Sequence, residues 1–506
     1  MRSKKVALFA AFESLTQIVR SILSIYVRRV FILTLGDELL GLNGLFSSVV
    51  SFLSLTELGL TSTVAVCLYE SLAHKDQKSV AAYMYLVKKI YMFMGIFILL
   101  GGVSVLPVVF QLVNGEYPQS VIVAGYILHL LATAASYFFS YRCVLLYANQ
   151  EGYIVSRTNL ILYTTSLVCQ LIVLFYFKSY TGFLVCVIIQ NLAFGLWMTH
   201  YVNRKYKDLL AYNSKPILEQ MEKAKFILKF KSMIIYRVSE YMIQGADISI
   251  ISVLLGTVVV GYYNNYNLII NMCWAIFVVV SEGAVAGIGN LIYTEESKTA
   301  DTLFSLLLLQ HILFCISATG ILQLSSLFVA AFFGSNSLLP MRFVLCLSTC
   351  YYIRGVMYPI ETFRKGAGSY ENDRWKQLGI VLLNIIISIV GCILWGIEGV
   401  VIGTAVCYFL RGVWLTPRQI FGKFISEEYR NKYYSRIIIY ILTTIGINAV
   451  ARLLMANLFF QNVIMQFIIE GIVCVTIVIL INILLFYRTR EFGYLRNYIS
   501  LLLKKK

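Results

Sequence analysis

The sequence predicts an all-α polytopic membrane protein with about fourteen transmembrane helices. Of the 506 residues, 59% are hydrophobic and only 13% are charged, which excludes an ordinary soluble domain. A spanning helix needs roughly 20 mostly apolar residues, so fourteen helices would use about 280 and leave little chain for anything else. The charged residues fall mostly in short segments between the apolar runs, as expected of loops that join membrane spans.

Apolar runs between charged or Gly/Pro/Asn-rich breaks predict the individual spans. Six spans come before a basic stretch, six follow it, and two precede a basic tail. The first six are 6–35, 40–71, 83–112, 118–148, 154–177 and 181–203. The second six are 232–255, 258–293, 300–334, 340–363, 377–396 and 398–417, and the last two are 434–458 and 462–487.

The order of the spans divides the chain into four predicted domains, two of which resemble each other. They are an N-terminal six-helix lobe at 1–203, a cytoplasmic interfacial linker at 204–231, a C-terminal six-helix lobe at 232–417, and two extra transmembrane helices with a basic tail at 418–506. At an offset of 220 residues, Gly36 matches Gly256 and Gly41 matches Gly261. The sequence therefore predicts a duplication that gives two pseudo-symmetric lobes of equal orientation.

The net charge of +17 is explained by the membrane surface. If the N-terminus is cytoplasmic, 32 of the 42 Lys and Arg residues lie in connections on the cytoplasmic side. This asymmetry is the positive-inside rule, and it predicts a multi-pass protein of the plasma membrane with both termini in the cytoplasm. Anionic membrane lipids account for the basic stretches, so no nucleic-acid partner is predicted.

No cofactor or metal is predicted from the sequence. The 11 cysteines lie inside apolar stretches and suit buried packing better than metal binding. A nucleotide-binding loop of the GxxxxGK[ST] type is missing from the sequence, which argues against direct ATP hydrolysis.

Polar residues in the first span form a stripe that predicts a binding surface for an anion. Gln17, Arg20, Ser24 and Arg28 recur at spacings of 3, 4 and 4, so they share one helix face, and Arg29 lies beside them. Guanidinium groups remain charged and can bind phosphate through two hydrogen bonds. The alternative is that these arginines pair with buried acids simply to satisfy burial.

Further charged residues within spans are candidates for transport roles, because buried charges are costly and usually face a cavity or a partner. Arg237 and Arg354 complete the predicted substrate-binding set. The candidates for ion coupling are Glu57, Asp247, Glu282 and His311. For Glu57 and Glu282, which occupy matching places in the two halves, a role in helix packing is an equal alternative. His311 has the alternative of being an ordinary core residue.

Residues 35–46 read LGDELLGLNGLF and residues 53–60 read LSLTELGL. This connected string resembles the second-helix region of polysaccharide flippases of Gram-positive bacteria, the Wzx-like family of the multidrug, oligosaccharidyl-lipid and polysaccharide exporter superfamily. The resemblance implies two six-helix lobes in a V, a cationic central cavity, and export of an undecaprenyl-diphosphate-linked oligosaccharide.

The sequence is therefore interpreted as a non-enzymatic flippase that moves this lipid-linked repeat unit to the outer face by alternating access, for capsular or exopolysaccharide assembly. A polysaccharide polymerase and glycosyltransferases are candidate protein partners. A multidrug/ion antiporter of the same fold is the first alternative, although its cavity would be expected to be acidic. A membrane glycosyltransferase or polymerase is the second, although such an enzyme would be expected to have a large outer loop with catalytic carboxylates.

Overall fold

A computed structural model gives a nearly all-helical protein, consistent with the predicted polytopic membrane fold. The structure describes residues 19–20, 23–53, 77–113, 117–149, 151–207, 239, 242–243, 245–294, 296–367, 374–455 and 463–496. Contacts group the chain into two compact units, residues 1–264 and 265–506. The four predicted domains divide the chain differently, by span order, and they stay a prediction. Residues 208–231 of the predicted linker lie outside the described residues.

In the first unit, the described residues form helices. Its helices are α1 (23–35), α2 (Asp37–Leu53), α3 (Gln77–Leu112), α4 (Gln119–Ser140), α5 (Cys143–Ala148), α6 (Gly152–Ile172), α7 (Tyr180–Lys205), α8 (245–255) and the start of α9 (Thr257–Thr294). A π-helical turn, Val173–Phe177, extends α6. The core of this unit packs around aromatic side chains that include Phe46, Tyr126 and Tyr137.

In the second unit, the described residues are also largely helical. After the remainder of α9, its helices are α10 (Glu296–Phe333), α11 (Met341–Val356), α12 (Tyr358–Ala367), α13 (Arg374–Trp395), α14 (Ile397–Leu410), α15 (Pro417–Ile420), α16 (Tyr429–Met455), α17 (Val463–Phe486) and α18 (490–496). A π-helical turn, Arg411–Leu415, extends α14. The short α18 is held in place by Glu491, which pairs with Arg436 and Lys432 at 3.0 Å each.

Among the described residues, ten helical stretches are long and apolar enough to cross a membrane. They coincide with ten of the fourteen predicted spans, namely all those from 83–112 onward except 232–255 and 258–293. The predicted span 258–293 coincides with α9. Large apolar side chains lie exposed on their surfaces, such as Leu453 and Leu484, each 73% exposed. Hydrocarbon, unlike water, imposes no cost on such surfaces, so the exposed residues fit a protein embedded in lipid. The total of fourteen spans and the two lobes stay predictions.

Two glycines join consecutive helices in the same way. Gly36 lies between α1 and α2 with φ of +86°, and Gly256 lies between α8 and α9 with φ of +97°. L-residues with a side chain rarely adopt this conformation, so glycine is required at both turns. The amide of each glycine donates to a carbonyl four residues earlier, that of Ile32 and that of Ser252. Gly36 and Gly256 therefore share a positive φ and the same type of backbone hydrogen bond, as expected of a duplicated segment.

A second pair of matched glycines lies where α2 crosses the start of α9. A Cβ atom built on Gly41 would lie well inside van der Waals distance of the carbonyl oxygen of Thr257. One built on Gly261 would lie 3.2 Å from the carbonyl oxygen of Asp37. The two backbones therefore touch directly, which only small residues permit between membrane helices.

We expect Gly41→Ala to destabilise the protein, because the added methyl group meets backbone that cannot move aside without separating α2 from α9. Overpacking of this kind typically costs about 1–3 kcal/mol. The matched control is Gly446→Ala on α16, where a new Cβ meets nothing within 4 Å. Thermal unfolding in detergent should show a lower Tm for Gly41→Ala only. Equal Tm values for the two variants would contradict the close contact.

Candidate substrate-binding site

In the first unit, the described part of the arginine stripe begins with Arg20, which packs on an aromatic ring. Its guanidinium carbon lies 4.2 Å from the centre of the Tyr163 ring on α6. The hydroxyl of Ser24 donates to the carbonyl oxygen of Arg20, four residues earlier. A cation over an aromatic face is attracted to the ring but keeps its charge, so Arg20 remains able to attract an anion.

Arg28 has a different environment from Arg20. Its Nη2 atom donates to the carbonyl oxygen of Gly261 at 3.2 Å, and the Asp37 carboxyl exerts a favourable electrostatic interaction on it. Arg28 is therefore held at the same crossing of α2 and α9 that the glycines form, whereas the adjacent Arg29 is exposed. The contact of Arg28 links two helices, and its anion-binding role stays a prediction.

The other candidates assigned to this unit differ in how far they are described. Asp247 on α8 is 3% exposed, so its carboxyl lies inside the unit. Gln17, Glu57 and Arg237 lie outside the described residues. Their predicted roles in binding and coupling stay predictions.

In the second unit, Arg354 of α11 lies between two aromatic rings. Its guanidinium carbon is 3.7 Å from the centre of the Trp274 ring on α9 and 5.3 Å from that of Tyr408 on α14. The hydroxyphenyl ring of Tyr358 meets the same tryptophan edge-on, with ring centres 5.2 Å apart. Three helices and the start of α12 thus contribute to one aromatic surface around a single guanidinium.

Glu282 extends this surface through an ion pair. Its Oε1 atom lies 2.6 Å from the Nζ atom of Lys365, and it accepts a hydrogen bond from the hydroxyl of Tyr358. Lys365 Nζ also lies 2.7 Å from the Tyr358 hydroxyl. The side chain of Glu282 is 43% exposed, so the ion pair is accessible. We call Trp274, Glu282, Arg354, Tyr358, Lys365 and Tyr408 together the Trp274 cluster.

A buried ion network fixes α12, which carries two members of the Trp274 cluster. The Glu361 carboxylate contacts Arg364 at 2.7 Å and Arg411 at 3.0 Å, and it accepts a hydrogen bond from the Thr416 hydroxyl. Arg364 is only 1% exposed. One carboxylate therefore ties α12 to the π-helical turn after α14, and this positions Tyr358 and Lys365 on the opposite ends of the same short helix.

His311 lies in a separate buried cluster on α10. Its Nδ1 atom is 2.8 Å from the hydroxyl of Tyr352, and its ring stacks on Tyr440 with centres 4.3 Å apart. The Tyr352 hydroxyl donates to the carbonyl oxygen of Tyr440 at 2.9 Å. These contacts join α10 and α11 to α16, as a packing histidine would. A coupling role for His311 stays a prediction.

Sequence reasoning did not identify several members of these clusters. Lys365, Trp274 and Tyr408 were not among the candidates. Trp274 and Tyr408 lie within predicted spans, and aromatic residues in spans are a usable signal because they can pack on a cation. A further polar contact joins α13 to α14, where Asn384 Nδ2 donates to Thr404 Oγ1 at 3.2 Å. Asn384 is fully buried, and its Oδ1 atom has no hydrogen-bond partner among the described residues.

Comparison with known proteins gives matches in structure. No protein-family model and no curated protein matches the sequence. The chain is similar to a lipid II flippase, MurJ, in an inward closed conformation, with 15% identity, a TM-score of 0.68, and coverage of 94% of this chain and 98% of that one. It is also similar to an inward-facing multidrug resistance MATE family transporter of the MOP superfamily, with 11% identity, a TM-score of 0.56, and coverage of 79% and 96%.

A third similar structure is a mutant of the MATE transporter VcmN of Vibrio cholerae, with 14% identity, a TM-score of 0.55, and coverage of 82% of this chain and 97% of that one. At these identities the matches establish the fold, which this chain shares with a flippase and with multidrug transporters. The polytopic helical fold expected from the sequence resemblance is supported at this level, and membership of the superfamily stays a prediction. The polysaccharide-flippase family within it stays a prediction.

We expect Glu361→Gln to destabilise the second unit strongly, because it leaves two buried guanidinium groups without their carboxylate. Breaking a buried pair in this way typically costs about 3–5 kcal/mol. The matched control is Glu427→Gln, whose carboxylate pairs with Arg430 at 2.6 Å but is 53% exposed. Such exposed pairs contribute at most about 1 kcal/mol.

The measurement is the Tm of each purified variant, together with its abundance in the membrane. A Tm for Glu361→Gln that matches the Glu427→Gln control would contradict a structural role for the network.

Proposed function

We propose that this protein is a flippase that moves an undecaprenyl-diphosphate-linked oligosaccharide from the cytoplasmic to the outer face of the plasma membrane by alternating access, for capsular or exopolysaccharide assembly. The observation that carries the proposal is the Trp274 cluster, in which two cations lie among aromatic rings on membrane helices. A polymerase and glycosyltransferases would be its partners in that assembly. Cytoplasmic termini are part of the same proposal.

The charge of the Trp274 cluster suits a diphosphate. The guanidinium of Arg354 lies over the rings of Trp274 and Tyr408, which attract a cation without cancelling its charge, and its N–H groups are hydrogen-bond donors. These groups can donate two parallel hydrogen bonds to phosphate oxygens. Lys365 adds a compact positive charge, and Glu282 holds it until an anion competes for it.

The aromatic side chains of the cluster suit sugars. Trp and Tyr combine an apolar ring with a polar atom, so they can pack on the faces of sugar rings while binding hydroxyl groups. Arg20 on Tyr163 is a second cation on an aromatic ring, in the first unit. Both units therefore contain the same kind of pair, which supports recognition of an anionic, sugar-bearing head group.

One observation favours a multidrug/ion antiporter instead. The half-exposed carboxylate of Glu282 lies on the same helix as Trp274, and an acidic group beside an aromatic ring suits an organic cation. In this reading Glu282 would bind drug or proton and Lys365 would be displaced. The two functions require opposite charges on the transported molecule, which makes them separable by experiment.

We expect Arg354→Ala to reduce translocation of a fluorescent undecaprenyl-diphosphate oligosaccharide in proteoliposomes by about tenfold or more, because a hydrogen bond to a charged group contributes about 1.5–3 kcal/mol. Arg354→Lys should restore only part of the rate, since lysine lacks the planar arrangement of donors. The readout is the loss of fluorescence when a membrane-impermeant quencher is added outside.

The matched control is Arg418→Ala. Arg418 also packs on a tryptophan, Trp414, at 5.1 Å, but it is exposed and outside the Trp274 cluster. Its translocation rate should match that of the unmodified protein. Full activity of Arg354→Ala at normal abundance would remove the support for the proposed function.

A further inference from the structure

A line of polar side chains runs through the contact between α10, α16 and α17. On each helix its members lie four or eight residues apart, so they share one face of that helix. They are His311, Cys315, Thr319 and Gln323 on α10, Tyr440, Thr444 and Asn448 on α16, and Glu470, Cys474 and Asn482 on α17. We call these residues the polar column. Polar groups within membrane spans are costly, so a column of them requires an explanation.

Contacts at the His311 end show that the three polar faces meet. The His311 ring stacks on Tyr440 of α16 with ring centres 4.3 Å apart, and it meets Phe486 of α17 edge-on at 5.7 Å. One turn farther along both α10 and α16, the Thr444 hydroxyl lies 3.6 Å from the Cys315 sulfur. His311 and Cys315 are fully buried, so these side chains point into the interface between the helices.

The helices stay in contact toward the other end of the column. Phe328 of α10 meets Phe467 of α17 with ring centres 6.0 Å apart, which is beyond Gln323. From His311 to Gln323 the polar column covers about 18 Å of α10, at 1.5 Å per residue. It therefore crosses more than half of the hydrocarbon thickness of a bilayer, about 30 Å.

Several buried polar atoms of the column have no hydrogen-bond partner among the described residues. They are His311 Nε2, Thr319 Oγ1, Gln323 Nε2, Asn448 Oδ1 and Asn482 Oδ1. His311, Thr319 and Asn482 are each 0% exposed. Buried polar atoms in proteins are nearly always bonded to protein or to ordered water, and such a water binds two to four polar groups. A succession of these atoms along one interface therefore fits a succession of water molecules.

The hydrogen bonds of His311 determine which ring nitrogen carries its proton. The Tyr352 hydroxyl donates its only proton to the carbonyl oxygen of Tyr440 at 2.9 Å. Its oxygen must then accept from the Nδ1–H group of His311, which lies 2.8 Å away. Nε2 is therefore left with a lone pair that can accept a proton.

The other groups around the ring are less suited to accept a proton from the column. Phe486 of α17 does not titrate, and the phenols of Tyr352 and Tyr440 are neutral near pH 7. The charged residues next along these elements are Arg436, one turn before Tyr440, and its partner Glu491 on α18. This ion pair lies beyond the ring, on the side away from Thr444 and Asn448.

We propose that a file of water molecules fills the polar column and gives protons access to Nε2 of His311 from the end that holds Glu470. Glu470 is 7% exposed and accepts a hydrogen bond from Gln466 at 2.7 Å, so a carboxylate lies at the entrance. With the C-terminus in the cytoplasm, as proposed above, α17 begins at the outer face, and the path leads inward from there. This proton site is separate from the Trp274 cluster and does not depend on which molecule that cluster binds.

The test is solid-state NMR of the full-length protein in lipid bilayers, with the histidines labelled with ¹⁵N. The chain has four histidines, and the variant His311→Gln identifies the signals of His311 by their loss. Magnetisation passes from water protons to side chains that contact water. We expect it to reach the buried His311 ring as readily as that of His200, which is exposed, and we expect the ¹⁵N shifts to place the proton on Nδ1.

Two matched variants test the path itself. Thr319→Val and Thr476→Val each replace a hydroxyl by a methyl group of the same shape, but Thr476 is exposed and donates to the carbonyl oxygen of Ile472 at 2.8 Å. After transfer to D₂O, the ring proton of His311 should exchange about tenfold more slowly in Thr319→Val only, the change in rate that the loss of one hydrogen bond to water, about 1.4 kcal/mol, gives. Elution profile and Tm confirm that each variant is folded.

The outcomes separate this inference from the proposed function. Absence of magnetisation transfer from water to His311 in the unmodified protein would overturn the water file, and a proton on Nε2 would overturn the acceptor. Equal exchange rates in the two threonine variants would show that water reaches the ring by another route and would overturn the path. None of these measurements uses a lipid-linked substrate, so each of these results leaves the proposed function standing, and a failure of translocation leaves the path standing.

Discussion

A charge on a membrane-spanning helix must be paired, hydrogen-bonded or in contact with water, because hydrocarbon does not solvate it. The described arginines meet this requirement in different ways. Arg364 and Arg411 share the carboxylate of Glu361, and Arg28 donates to the backbone of Gly261. Arg354 instead packs on Trp274 and Tyr408. Aromatic faces stabilise a cation without cancelling its charge, so Arg354 is the one in this comparison whose environment leaves the charge available to a ligand.

The helix α12 shows how paired charges position the others. Glu361 holds this ten-residue helix against the turn after α14, and the same helix presents Tyr358 and Lys365 to Glu282. The buried network is therefore needed for the geometry of the Trp274 cluster, although it does not reach the exposed ion pair. Glu361 is therefore a buried structural carboxylate, whereas Glu282 is an accessible one.

The sequence predicted the spans well and the partners poorly, for physical reasons. Hydrocarbon thickness dictates apolar length, so ten predicted spans coincide with described helices. Helical spacing placed Arg20 and Arg28 on one face, but it carries no information about what that face meets. Arg28 binds the backbone of Gly261, which is 233 residues away. Lys365 lies just beyond the predicted span 340–363, but α12 continues to Ala367 and brings Lys365 to Glu282.

We propose that cations on aromatic rings select an anionic, lipid-linked substrate. The most direct measurement compares two cargoes in proteoliposomes of the unmodified protein: a fluorescent undecaprenyl-diphosphate disaccharide and a cationic dye such as ethidium, each with and without an ion gradient. We expect translocation of the lipid-linked disaccharide and no transport of the dye. Gradient-driven transport of the dye, with no translocation of the lipid, would contradict it and favour the antiporter.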